Sequence, residues 1–299
     1  MEEQLTQLYR PTGKSMRLAI FMSGSGTNAK KIIERYLQDM GRGFAPFRPV
    51  LIFTDNPDSK AERIATQDYK TSGLEIAIVT NPIREFYAKR GAKLADRSIR
   101  EMYDKEQADM LQDHGIDAIA LAGYDWVVSP ILCDFFNIVN VHPGDLRVVD
   151  ENGKRKYFGL AWVPSAKAIL DGKNYVHTSV HLVTSELDGG TLLGISAPQP
   201  VPDQVMPLQN RKVLLGEGMN SLKEVMDYVR QHPDMPDADI SKMFPIYGFA
   251  KDCQERLKVH GDWVVFPQVT SWLSLGKYAM GKSGKIYFEN KPVPDGVQF

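Results

Sequence analysis

Cysteine is nearly absent: Cys133 and Cys253 are the only two in 299 residues. They stand far apart in the chain, which excludes a disulfide framework and a cysteine-based metal spacing and fits a reducing compartment. Neither sign of charge is in excess, with 36 Lys and Arg against 37 Asp and Glu and a net charge of −1. A chain so balanced has no electrostatic footprint for nucleic acid or for an acidic membrane surface. Long apolar runs are missing too; none reaches the roughly 18 residues that span a bilayer. The start, Met1-Glu2-Glu3-Gln4, is acidic where a signal peptide would be basic. With no repeats and no low-complexity tract, the expectation is a cytoplasmic protein that handles small molecules, as a monomer or homodimer, without nucleic acid or membrane partners.

What is present is an alternation of short β-branched runs with helical periods. Strands are expected at 17–22, 49–54, 75–79, 116–122, 177–183, 191–197 and 285–289. Helices are expected at 29–37, 59–71, 83–114 with a break near Gly91, 164–170, 209–231, 251–259 and 267–280. Strands alternating with helices imply an α/β fold, a doubly wound, mostly parallel open sheet with helices on both faces and a helical C-terminal extension. Residues 1–16 read as an N-terminal extension. The rest, 17–299, reads as one catalytic domain carrying an inserted segment at about 203–250. The charged stretch around 147–157 reads as a hairpin or lid.

Two motifs carry chemistry. The first is Ser23-Gly24-Ser25-Gly26-Thr27-Asn28, between a strand and a helix. Backbone N–H groups of such a loop and the helix N-terminus favour an anion, and the hydroxyls of Ser23, Ser25 and Thr27 can add donors. It is neither a P-loop nor a dinucleotide fingerprint, since position 29 is Ala; a phosphate monoester suits it. The second runs from Asn140-Val141-His142-Pro143 to Glu186-Leu187-Asp188-Gly189-Gly190. Asn140 and His142 are two apart on a strand that Pro143 ends, so both project from one side near its carboxyl end. In open α/β sheets that end faces the ligand crevice. An imidazole moves protons near neutral pH, a carboxamide steadies an oxyanion, and a carboxylate orients the imidazole. No Ser or Cys nucleophile accompanies them, which suits direct attack by an amine on a carbonyl carbon. The same residues also fit a plain strand end and an ordinary turn. Tyr124 and Trp126, just past the 116–122 strand, could wall a flat ligand or simply fill the core.

In this order, Ser23 to Asn28, Leu121-Ala122-Gly123 with Ser129-Pro130, Asn140-Val141-His142-Pro143, Gly159-Leu160, and Thr178-Ser179-Val180-His181 through Gly190 resemble the phosphoribosylglycinamide formyltransferases. These are folate-dependent enzymes of purine synthesis, and the likeness covers most of 17–200 and resumes around 251–294. It implies formyl transfer from 10-formyltetrahydrofolate to the amine of glycinamide ribonucleotide, without a metal. Asn140 would hold the formyl oxygen, His142 would carry the proton, and Asp188 would anchor His142 and an ordered water. Gly24, Ser25, Gly26, Thr27 and Asn28 would take the phosphate. Arg100 and Asp262 would contact substrate, and Tyr124, Asp125, Trp126, Val127 and Val128 would line the folate pocket. His181 matches a histidine near the site.

The chain also departs from that family. Gly144 replaces the serine after His-Pro, and His177 replaces a glycine. The insert at 147–157 lengthens the path from Asn140 to Asp188, and Asp125 and Trp126 replace apolar and basic residues. Three other readings therefore stay open: formyl transfer to another phosphorylated amine, hydrolysis of 10-formyltetrahydrofolate, and a non-catalytic folate- or nucleotide-binding paralogue. The hydrolase would carry a regulatory domain before the first strand, where only some 16 residues stand here.

Overall fold

The computed structural model describes residues 3–208 and 210–299. Met1, Glu2 and Gln209 lie outside it, and with them the first two residues of the expected extension and the first of the expected 209–231 helix. Strands are β1 Leu5–Gln7, β2 Met16–Phe21, β3 Phe47–Thr54, β4 Ala77–Thr80, β5 Ala118–Leu121, β6 Asn137–His142 and β7 Tyr175–Val176. They continue with β8 Ser179–Leu182, β9 Leu192–Ile195, β10 Gln199–Pro200, β11 Tyr278–Gly281, β12 Ile286–Phe288, β13 Lys291–Pro292 and β14 Val297–Gln298. Helices are α1 Thr27–Gly41, α2 Ala61–Arg63, α3 Ile83–Ala88, α4 Arg97–Asp113, α5 Pro130–Phe135 and α6 Val163–Leu170. After them come α7 Arg211–Leu215, α8 Leu222–Gln231, α9 Asp237–Met243, α10 Pro245–Leu257 and α11 Trp263–Ser274.

The chain falls into two compact units. Among the described residues the first holds 3–141, 180–194 and 266–297, the second 142–179, 195–208, 210–265 and 298–299. The first is built on a sheet in the order β14-β9-β8-β6-β5-β2-β3-β4, a few of whose end residues fall in the second. β2 pairs in parallel with β3 and β5, β3 with β4, and β5 with β6. Leu18, Ala19, Ile20 and Phe21 of β2 are all fully buried. A strand covered on both faces needs a continuous apolar run rather than alternation, and this one has it. Helix α1 follows β2 and turns Ala29, Ile32, Ile33 and Tyr36 inward, an i, i+3, i+4, i+7 stripe. Helix α4 is capped by the Asp96 carboxylate, which accepts from the N–H groups of Ser98 and Ile99. Phe21 tilted against Phe53 (4.4 Å) and Phe86 edge-on to Tyr103 (5.0 Å) are part of this core.

The second unit has its own core, in which Trp162 meets Tyr247 edge-on at 5.0 Å among Val225, Phe244 and Leu257. Much of it comes from 203–250, including Leu214, Leu222, Val225, Ile240 and Tyr247, so that segment is packed structure.

Three expectations need correction. The expected N-terminal extension includes β1, which pairs antiparallel with β11 through Leu5↔Gly281. The helix expected at 267–280 runs instead from Trp263 to Ser274, with Pro267 inside it, and gives way to β11. Gly276, at φ +69°, supplies the left-handed residue that ends such a helix. The strand expected at 177–183 is broken, because Thr178 turns its N–H to Ser196 Oγ (2.9 Å) and its hydroxyl to Asp262 (2.7 Å). The 147–157 stretch does form a hairpin, bridged at Val149↔Arg155 and closed by the Asp150 carboxylate on the N–H groups of Asn152 and Lys154.

Candidate active site

In the first unit, β2 leads into the glycine loop. Gly26 has φ +68°, and a Cβ there would lie 2.4 Å from Ile64 Cδ1 and 2.7 Å from Met22 Cε, so another residue would be strained and would have to push both side chains aside. Gly24 and Ser25 are exposed, with open space around Gly24. The N-terminus of the 15-residue α1 follows directly at Thr27 and Asn28. Ser23 behaves otherwise than expected. It is buried, donates its hydroxyl proton to Asp55 Oδ1, and accepts from the Asp125 N–H at 3.0 Å. That hydroxyl is a strut and not a ligand donor.

The loop after β5 is tied to the same strut. Trp126 Nε1 donates to Asp55 Oδ2 at 2.7 Å, and the Arg84 guanidinium lies 5.8 Å from its ring centre. Tyr124 and Val128 are buried in the core, Tyr124 edge-on to Phe21 at 5.4 Å. Asp125 and Val127 face outward. Arg100 is only 9% exposed. Its Nε donates to Asp104 Oδ2 at 3.1 Å and its Nη2 to the Tyr124 hydroxyl at 3.3 Å, while Nη1 is buried without a protein partner. Burial works against its charge, but Tyr124 and Asp104 outweigh it and hold the guanidinium above its ordinary value. Cys133 is no poised nucleophile, since burial pushes its thiol up to about 11.

At the end of β6, Asn140 Nδ2 donates to His181 Nε2 at 3.2 Å. His181, 2% exposed, donates from Nδ1 to the Leu182 carbonyl at 2.8 Å. These two bonds set its tautomer: the proton is on Nδ1 and the lone pair on Nε2. Asp188 Oδ1 stands 3.8 Å from that same Nε2. Asp188 is 7% exposed and holds φ +53°, a left-handed conformation that Asp tolerates better than most residues. The turn is forced by Gly190, where a Cβ would lie 1.6 Å from the Leu182 carbonyl oxygen.

In the second unit, His142 is 3% exposed and donates from Nε2 to the Tyr157 carbonyl at 2.7 Å. In the neutral ring the lone pair then falls on Nδ1. A Cβ on Gly144 would lie 2.6 Å from that carbonyl oxygen and 2.7 Å from His142 Nε2. A side chain at this position would have to displace that carbonyl or the imidazole. Asp262, 5% exposed, ends a π-helical turn, Lys258–Asp262, and accepts from Thr178 Oγ1 at 2.7 Å. Among the described residues, no group of three or more His, Cys, Asp or Glu is placed to hold a metal ion.

The structure thus brings Asn140, His181 and Asp188 together and sets His142 on the Tyr157 carbonyl. Sequence reasoning missed His181 as the link between Asn140 and Asp188, and Asp55 as the anchor of both loops. No local pattern signals either: His181 meets Asn140 only across assembled strands, 41 residues on, and Asp55 looks like an ordinary turn residue.

The model of the family described as formyl transferase matches residues 16–211. That is about two thirds of the chain and includes the glycine loop, the loop after β5, Asn140, His142, His181 and Asp188, but not Asp262. The chain belongs to the formyl transferase family. Among curated proteins it is 27% identical over 201 residues to the chloroplastic phosphoribosylglycinamide formyltransferase of Arabidopsis thaliana, covering 66% of this chain and 60% of that one. To the Escherichia coli phosphoribosylglycinamide formyltransferase it is 28% identical over 197 residues, covering 62% and 74%. The chain therefore spans well under the full length of the Arabidopsis relative. Among solved structures, a phosphoribosylglycinamide formyltransferase from Coxiella burnetii superposes with a TM-score of 0.60 at 18% identity, over 96% of this chain and all of that one. That likeness is one of fold: a mostly parallel central sheet with helices, as expected. Membership makes this an enzyme of the formyltransferase kind, and no helix among the described residues is long and apolar enough to cross a membrane.

Proposed function

We propose that this protein transfers a formyl group from 10-formyltetrahydrofolate to the amine of glycinamide ribonucleotide, as a cytoplasmic enzyme of small molecules in which 17–299 act as one catalytic domain. The observation that carries this reading is the Asn140–His181–Asp188 arrangement at the end of β6, two residues before His142. The carboxamide spends one N–H on His181, which leaves the other for a formyl oxygen. That donor strengthens its hold as the oxygen becomes an oxyanion.

The acceptor amine attacks the formyl carbon, and the carbonyl π electrons move onto oxygen. His142 takes the amine proton at Nδ1, the nitrogen not committed to Tyr157, and delivers it to the departing folate nitrogen as the tetrahedral intermediate collapses. Product amide and tetrahydrofolate result, with protons and electrons balanced. The Asp188 charge favours a proton resident nearby. Gly24 to Asn28 with the α1 N-terminus suits the phosphate of the ribonucleotide. The half-buried Trp126 beside exposed Val127 gives the donor's flat ring an apolar edge. Arg100, through Nη1, and Asp262 are the remaining substrate contacts in this reading.

The test is a folate absorbance assay with and without glycinamide ribonucleotide. Turnover that needs the ribonucleotide supports the assignment. Folate release without it means hydrolysis instead.

A further inference from the structure

A cavity of about 330 Å³ in the second unit is lined by Gly144 and His177. Val148 and Tyr157, from the 147–157 insert, line it as well. Its volume is at the small end of the range, about 300–1,000 Å³, typical of ligand pockets.

The polar groups at its wall are arranged unusually. Asp145 is a carboxylate: burial pushes its acidity the other way, but Arg147 outweighs burial and holds the group below its ordinary value. Oδ1 accepts from the Arg147 N–H and Nε, and Oδ2 from Nη2 at 2.8 Å. His177 donates from Nδ1 to the Ser196 carbonyl at 3.0 Å, so the neutral ring carries its lone pair on Nε2. That Nε2 stands 4.0 Å from Asp145 Oδ2. With the ring neutral, two acceptors face each other across a gap too wide for a hydrogen bond between them. An atom about 2.9 Å from both, at ordinary hydrogen-bond length, fits the gap if it carries two protons.

We propose that this cavity binds a small molecule bearing a primary amine, whose nitrogen donates at once to Asp145 Oδ2 and His177 Nε2. A hydroxyl has one proton and satisfies only one acceptor. An ammonium satisfies both and adds a positive charge against the carboxylate. The cavity shares Gly144 and Tyr157 with the surroundings of His142, but the amine site rests on Asp145 and His177 and not on the formyl-transfer assignment.

The probe is ethanolamine, titrated into the full chain carrying ¹⁵N-histidine, with choline, which has no N–H, as control. Ethanolamine shifts the His177 ring resonances saturably and choline does not. His177→Ala weakens binding at least about tenfold, the loss expected for one charge-assisted hydrogen bond. Ala168→Leu, which fills the cavity from α6 and leaves Asp145 and His177 in place, abolishes it. Formyl transfer measured on the same samples separates this outcome from the fate of the proposed reaction. No shift with ethanolamine, equal shifts with choline, or binding indifferent to both substitutions would overturn the proposal and leave the gap to water.

Discussion

Asn140 and His142 carry the proposed chemistry, and their substitution has distinct signatures. Asn140→Ala should lower kcat by about 10²–10³ with little change in KM, since it removes a donor that acts mainly on the oxyanion. His142→Ala should abolish measurable turnover while folate still binds. An Asn140→Ala variant that raised only KM would contradict the oxyanion role. Gly144→Ala tests the packing around His142. Its Cβ would meet the Tyr157 carbonyl at 2.6 Å and Nε2 at 2.7 Å, so we expect a cost of about 1–3 kcal/mol in urea unfolding together with a fall in kcat. The placement of Asn140 and His142 at the end of β6 was legible because a strand's two-residue period and a terminal proline fix where side chains go. The partners were not. Tyr157 acts through its backbone carbonyl, which no side-chain pattern reveals, and His181 reaches Asn140 only once the sheet has assembled.

Between elements, the strut at Asp55 holds the loops after β2 and β5 in register. Asp55→Ala would strand the Ser23 hydroxyl and the Trp126 N–H, at about 1–3 kcal/mol for each. The unfolding midpoint should drop accordingly; an unchanged midpoint would mean that the two loops do not depend on it. Strand β1 has a pH-sensitive tether. Glu3 accepts from the Tyr287 hydroxyl (2.6 Å) and from the Ser283 N–H and hydroxyl, and these bonds lower its carboxyl from 4.5 to about 2. A depressed folded value contributes above the unfolded one and is lost as pH falls through the folded one. The tether should therefore be intact above 4.5 and drain away toward about 2. Protection of the β1 amides, taken relative to their intrinsic exchange at each pH, should fall over that window, and Glu3→Gln should give the low protection at neutral pH. Protection that stays constant with pH would contradict the tether. Buried parallel strands such as β2 were readable as continuous apolar runs. β1, with a polar Leu5-Thr6-Gln7 sequence, was not, because its pairing with β11 joins residues more than 270 apart. The Pro267 region misled for a related reason: proline suggests a helix start, while here the chain arrives already helical from Trp263.

At the scale of the molecule, the α/β class and the parallel sheet followed from the alternation of strands and helices. The second unit's core did not, since residues 203–250 have no separate linker, and only burial shows how many of them it packs. The central claim is formyl transfer to a ribonucleotide amine, and its most direct measurement is folate absorbance with 10-formyltetrahydrofolate, the purified chain and glycinamide ribonucleotide. The account predicts release of tetrahydrofolate only when the ribonucleotide is present, and none from His142→Ala. Release that ignores the ribonucleotide, or an unimpaired His142→Ala, would contradict it.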